Sequence, residues 1–343
     1  RPATPPTEDR PPRAPPGGTL DPLAQDHFLR GRHLLRTAGD PAALTAAAAQ
    51  FDTALALDPA FGRAHVALGE AFARRADLRA ADRDALVDSA LAHAETAVSV
   101  SPDLPEAYTL RALLRWTRRW DWSGAEADFQ AALAAGDEPF VRRLYADYLA
   151  SAARFDEALE QINRARDAAP GDPDLLAAHG ALLFRASLLI EAEPLLRRAV
   201  ELRPDNPEAR IFLARTLLGL GRSREAADAL GDARNPSADP LLRLWRAHIL
   251  LREQRRPVTA ERIMANLVEQ IRGRAGQRAD APYWLASLHV VTGELDRAAE
   301  RLAQAARIPS PALVWLPTDP LWAPLHGHPR YERLVERIRS GER

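Results

Sequence analysis

The sequence predicts an all-α, right-handed superhelical solenoid of about eight helical hairpins, and three observations carry that reading. Between Pro170 and Pro204 the chain writes one complete 34-residue unit, and the next unit repeats its pattern without an insertion. Gly180, Ala192, Leu196 and Ala199 of the first answer to Ala214, Ala226, Leu230 and Ala233 of the second, with internal gaps of 12, 4 and 3. A fixed period of this size is the mark of stacked supersecondary units. The small residues suit the crossing of two helix backbones at about 8 to 10 Å, and the large residue between them plugs the neighbouring gap. Pro204 closes the unit, because its missing N–H and fixed φ stop one helix and admit the next.

The same ruler places the other hairpins in chain order. The first carries Gly31, Ala47, Phe51, Ala54 and Pro59, with four extra residues around Gly39, Asp40 and Pro41. In the second, Gly69, Ala90, Ala94, Ala97 and Pro102 leave nine extra residues, which absorb the polar run from Arg79 to Asp84. The third, on Ala112, Ala125, Phe129 and Ala132, has one extra residue. Ala146, Ala158, Ile162, Ala165 and Pro170 make a regular fourth. After the two reference units comes a degenerate one on Ala247, Ala260, Met264 and Leu267, then a regular last one on Ala286, Ala298, Leu302 and Ala305. The insertions are expected in turns, where a helical hairpin tolerates them. The implied organisation is a Pro-rich linker over residues 1–22, the repeat solenoid over 23–308, and an irregular Trp- and Pro-rich segment with a capping helix over 309–343.

Composition excludes several functions. The chain has no Cys, hence no disulfide, thiol nucleophile or Cys-ligated metal. Every Lys/Arg base is Arg, and the net charge of −1 gives no pull toward nucleic acid or an anionic membrane. No apolar run reaches the length of a membrane span. The chain opens on Arg1 rather than Met with an extended Pro-rich stretch, so an upstream part is expected. His65, His93, His179, His248 and His289 fall within repeat helices and read as structural. His326 and His328 form a close pair with no third ligand beside them. Gly219 and Gly221 flank a helix–helix turn, not a strand-to-helix phosphate loop, and no Ser carries a nucleophile-elbow pattern. No catalytic residue, metal or cofactor is therefore expected, and any enzyme activity would lie upstream.

The repeated pattern resembles the tetratricopeptide repeat. The run Trp120, Asp121, Trp122, Ser123, Gly124, Ala125, Glu126, then Phe129, Ala132 and Leu133, resembles a signature of bacterial signalling proteins that end in such an array: transmembrane winged-helix transcriptional regulators, nucleotide cyclases and receptor-like Ser/Thr kinases. The opening from His27 to Arg32 and the closing stretch from Trp315 to Leu325, then His328 to Tyr331, are similar to the two ends of that array. No winged-helix, cyclase or kinase motif is present. The resemblance implies a sensory, scaffold or interaction arm. The alternatives are the non-catalytic half of a cyclase or kinase, or a free-standing assembly scaffold.

In an array of this kind the first helix of each unit lines a concave groove. Leu110, Leu113, Trp116, Phe140, Arg143, Asp147, Phe184, Arg185, Ile211, Phe212, Arg215, Tyr283 and Trp284 are placed there, joined by Val66, Glu70, Leu144, Leu218 and Val290. An apolar groove with a few Arg residues suits a protein or peptide ligand, an apolar helix with an acidic or amide feature. Co-chaperones of this fold grip a carboxylate with Lys and Asn; the corresponding positions here include Val66, Glu70, Leu113, Asp147, Ala181 and Arg215. That clamp is excluded. Nucleic acid is not expected as a ligand. Trp315, Trp322, Leu325 and Leu334 are expected to cover the outward face of the last unit.

Overall fold

The computed structural model describes residues 14–38, 40–78, 82–231, 281–307 and 310–342, together with 242, 243, 245, 246, 248 and 249. Its helices are α1 (Pro22–Thr37), α2 (Pro41–Leu57), α3 (Gly62–Leu78), α4 (Arg83–Val100), α5 (Pro105–Leu114), α6 (Trp122–Ala135), α7 (Pro139–Ser151), α8 (Phe155–Ala168), α9 (Pro173–Arg185), α10 (Leu189–Leu202), α11 (Pro207–Gly219), α12 (Ser223–Ala229), α13 (Ala281–Thr292), α14 (Leu295–Ala305) and α15 (Pro329–Ser340). The first fourteen pair into seven antiparallel hairpins, and from α1 to α11 the first helices of successive hairpins lie side by side. No strand occurs among the described residues.

Local sequence explains where first helices start. Asp21, Asp172 and Asn206 stand before Pro22, Pro173 and Pro207, and each caps its helix through a side-chain oxygen; Asp40 before Pro41 does the same for the second helix α2. The oxygen takes a backbone N–H that the helix cannot satisfy, while Pro occupies a position that needs no donor. The close of four first helices, α7, α9, α11 and α13, is equally regular. Ala153, Ser187, Gly221 and Gly293 adopt positive φ (62°, 64°, 76° and 81°), each seven residues after the small residue of its unit. There the N–H of Arg154, Leu188, Arg222 and Glu294 returns to the carbonyl of Leu149, Leu183, Leu217 and His289 at 2.8–2.9 Å. This six-to-one bond around a left-handed residue stops the helix and reverses the chain.

The small-large-small ruler marks the interior. Phe51, Phe129, Ile162, Leu196 and Leu302 are buried with their flanking alanines. A Cβ on Gly180 would sit 2.5 Å from Cγ of Leu196, and one on Gly31 would sit 2.5 Å from the Phe51 ring. Ala233 and the expected unit on Ala247, Ala260, Met264 and Leu267 lie outside the described residues.

The insertions behave differently from the expectation that they sit in turns. Of the nine extra residues in the second hairpin, eight lengthen α3 and α4, which run to 17 and 18 residues against 13 and 14 in α9 and α10. The added turns bury Ala76, Leu86 and Val87 against Phe72, so helix extension gains apolar contact that a loop would not. The single extra residue of the third hairpin widens the end of its first helix into a π turn, Arg115–Arg119. Its left-handed residue, Trp120 (φ 55°), then falls eight residues after Ala112, and Asp121 N–H reaches the Arg115 carbonyl at 3.0 Å. An inserted residue inside a helix has this form.

At the front, residues 1–13 lie outside the described residues, and the remainder of the Pro-rich stretch is seated on the array. Gly17 turns with φ 61° and its carbonyl accepts from the Arg63 N–H at 2.8 Å. No helix among the described residues is long and apolar enough to cross a membrane.

Candidate partner-binding groove

The concave face is built by α5, α7, α9, α11 and α13, and its aromatic middle is covered by the chain itself. After α14 the segment enters a 3-10 turn (Pro311–Trp315), a second one (Pro320–Leu325), and then α15. Trp315 packs edge-on to Trp116 with ring centres 6.0 Å apart. Trp322 packs on Tyr283 at 5.3 Å. Leu313, Val314, Leu316, Trp322 and Leu325 are fully buried. The terminal segment packs on α14 through a core shared with Leu302 and Ala305, and it also crosses the concave surface.

The crossing is tied by charge. Arg215 clamps Asp319 with both terminal nitrogens, Nη1 to Oδ2 at 3.0 Å and Nη2 to Oδ1. The two side chains are 6% and 10% exposed. The Arg215 guanidinium also lies 4.6 Å from the ring centres of Phe184 and Trp245. Burial opposes the Asp319 charge, but Arg215 and Arg185 outweigh it and hold the carboxyl below its ordinary range. Arg185 is sandwiched between Trp315 and Phe212, 3.8 and 4.6 Å from their ring centres. Burial lowers its pKa, offset in part by the Asp319, Asp147 and Glu208 carboxylates.

The residues expected in the groove separate into three sets. Phe184, Arg185, Ile211, Phe212, Arg215, Tyr283 and Trp284 come together, with Phe184 against Phe212 at 5.6 Å. All but Arg185 and Trp284 are buried, so the expectation that they stand open is corrected: the Trp315–Leu321 stretch supplies the cover. Trp116 is likewise buried, with Leu113 and Leu144 packed against the same core. Leu110 belongs elsewhere, in a cluster with Val66 and Ala90. The third set stays open on α7. Phe140 is 36% exposed, and Arg143 and Asp147 make an i, i+4 pair at 3.4 Å. Burial raises the Asp147 pKa to about 6; Arg143 and Arg185 pull it down while Glu208 pushes it up. Glu70 is raised too, by burial, against the pull of Arg32 at 3.0 Å.

Sequence reading missed Trp245, Glu208 and the role of Asp319. The Asp319–Pro320 pair signals a helix start, and Asp319 does cap that turn by accepting from Leu321 N–H at 2.9 Å. Its second use, inside the groove, has no local signal. Among the described residues no cluster of His, Asp or Glu could hold a metal. His328 caps α15 through Nδ1 and meets Asp296 through Nε2 at 3.1 Å.

Comparison with known proteins agrees with this architecture. The tetratricopeptide repeat family model matches residues 183–249. A search of curated proteins gives no match. Among solved structures, human IFIT1 in complex with m7Gppp-AAAA is similar at a TM-score of 0.57 and 18% identity, over 83% of this chain and 72% of that one. Yeast Tom70 is similar at a TM-score of 0.54 and 15% identity, over 94% of this chain and 66% of that one. The chain folds as a tetratricopeptide-repeat solenoid. Solenoids of this class present extended concave surfaces for binding.

Proposed function

We propose that this chain is the sensory or scaffold arm of a larger bacterial signalling or transcription-regulatory protein, and that it docks a partner peptide or helix on the open part of its concave face. The supporting observation is the α7 stripe. Phe140, an exposed aromatic, stands beside the half-buried Arg143 and Asp147 on a surface that the terminal segment leaves uncovered. Exposed aromatics on a rigid concave surface serve as interface anchors. The charges favour a peptide. Arg143, Arg185 and Arg215 are matched locally by Asp147, Glu208 and Asp319, which gives a polyphosphate such as that of m7Gppp-AAAA little net attraction.

Capture from a bacterial lysate on immobilised chain, with partners identified by mass spectrometry, tests the reading. Phe140→Glu with Arg143→Glu should remove the captured protein, and Ile190→Glu, at an exposed position in the first turn of α10, should not. Identical capture by the two variants sinks the assignment of the α7 stripe.

A further inference from the structure

A cavity of about 390 Å³ lies between the groove wall and the terminal segment. That volume sits at the small end of the range for ligand sites, roughly 300 to 1,000 Å³. Its walls are aromatic: Phe212, Trp245, Tyr283, Trp284 and Trp315 all line it. It meets solvent beside Glu208, an exposed residue at its edge.

The polar groups on this wall differ in what they have left to give. Arg215 and Asp319 are committed to each other, and Asp319 also accepts from Leu321. The Ser287 hydroxyl donates to the Tyr283 carbonyl at 3.1 Å. Arg185 is different. Its guanidinium lies between Trp315 and Phe212, its Nε is buried without a partner, and it makes no hydrogen bond among the described residues. A buried donor left unmade is costly. A fixed, planar guanidinium is also the group best matched to a carboxylate, because the two meet through parallel N–H···O bonds.

We infer that this cavity binds a small monocarboxylic acid with a flat apolar body, the carboxylate on Arg185 and the body between the tryptophan and tyrosine rings. The aromatic walls select the body, since apolar surface leaves water there at low cost in polar contacts. Charge selects against more acidic ligands. Glu208 at the mouth and Asp319 in the wall repel a second negative charge, which disfavours phosphate esters and nucleotides. The ligand touches α9, α11, α13 and the terminal segment together, so its occupancy strengthens the attachment of that segment to the groove. The site does not depend on whether the array also docks a protein.

Calorimetry on the full chain with indole-3-acetate, and with indole-3-acetamide as its neutral twin, tests the assignment. The acid should bind saturably at one site and raise the melting temperature, and the amide should bind about ten- to a hundredfold more weakly. Arg185→Gln should bring the acid down to the amide's level. Ala312→Leu, which fills the cavity from the terminal segment, should weaken acid and amide alike. Equal affinity for acid and amide in the wild-type chain overturns the proposal, and so does tighter binding of inorganic phosphate. No saturable binding of indole-3-acetate, phenylacetate or benzoate at millimolar concentration would also overturn it. The acid–amide comparison needs no variant, so it decides even if a substitution costs the fold.

Discussion

Asp319→Asn is the sharpest perturbation the fold offers. It removes one charge from a bidentate pair whose side chains are 6% and 10% exposed, and leaves Arg215 enclosed by Phe184, Phe212 and Trp245 without an anion. Breaking one side of a buried pair costs about 3 to 5 kcal/mol, because the remaining charge is stranded in a poor dielectric. The amide retains one hydrogen bond to the guanidinium, and the three rings give the cation partial compensation, so we expect about 2 to 4 kcal/mol. Urea unfolding followed by circular dichroism measures it, and tryptophan fluorescence separates release of Trp315 and Trp322 from global unfolding. Arg222→Gln breaks solvent-screened pairs with Glu193 and Glu225 and should leave the urea midpoint close to that of the wild type. Arg215→Met with Asp319→Leu should recover most of the loss, since an apolar pair of similar size replaces the ions without a stranded charge. The sign with pH follows from the depressed Asp319 pKa. The pair's contribution is fully present above the unfolded carboxylate pKa and is lost as pH falls through the lower folded value. A loss below 1 kcal/mol for Asp319→Asn at neutral pH would mean that the terminal segment is not held at this point.

Two further outcomes follow from the packing and the charges. Gly180→Ala places a Cβ 2.5 Å from Leu196, which is fully buried, and should cost about 1 to 3 kcal/mol in thermal or urea unfolding, whereas Gly171→Ala, with nothing within 4 Å, should be neutral. Asp147 carries the opposite pH sign to Asp319: its pKa rises from 3.8 unfolded to about 6 folded, so the native state holds a proton that the unfolded chain has released, and stability falls as pH rises between those values. Asp147→Asn should therefore gain on wild type by on the order of 2 kcal/mol between pH 4 and pH 7, and parallel stability–pH curves for the two proteins would refute the shift.

The hairpins were legible because their signals are local. A small residue at a helix crossing and a unit-closing Pro each act within a turn or two of themselves, as at Gly180 and Pro204. The insertions were misplaced for a physical reason: between Gly69 and Ala90 the sequence is rich enough in Ala and Leu to prolong both helices, and hydrophobic contact between Ala76 and Val87 favours that over a loop. The groove was half legible. Periodicity put Phe184, Phe212 and Arg215 on one face, but their cover comes from residues about a hundred positions later, and no spacing rule carries a contact across that distance.

The run from Trp120 to Glu126 and the closing stretch from Trp315 to Tyr331 contribute aromatic rings to one core. The extra residue of the π turn rotates Trp120 inward and sets Trp122 toward the chain end, where its indole N–H donates to the Ile338 carbonyl at 2.6 Å. Gly341 passes so close that a Cβ there would lie 2.9 Å from the Trp120 carbonyl oxygen. Tyr331 donates to the Leu316 carbonyl at 2.6 Å, and Tyr148 to that of Trp122 at 2.9 Å, so these rings and Trp122 place their polar atoms on backbone carbonyls. An open solenoid is held only by contacts between neighbouring units. Here the terminal segment returns from the last unit to the third, which couples hairpins far apart in the stack. A change at the terminal segment is thereby felt at α5 and α6 as well as at α14, which gives a ligand in the cavity beneath Trp315 leverage over most of the array.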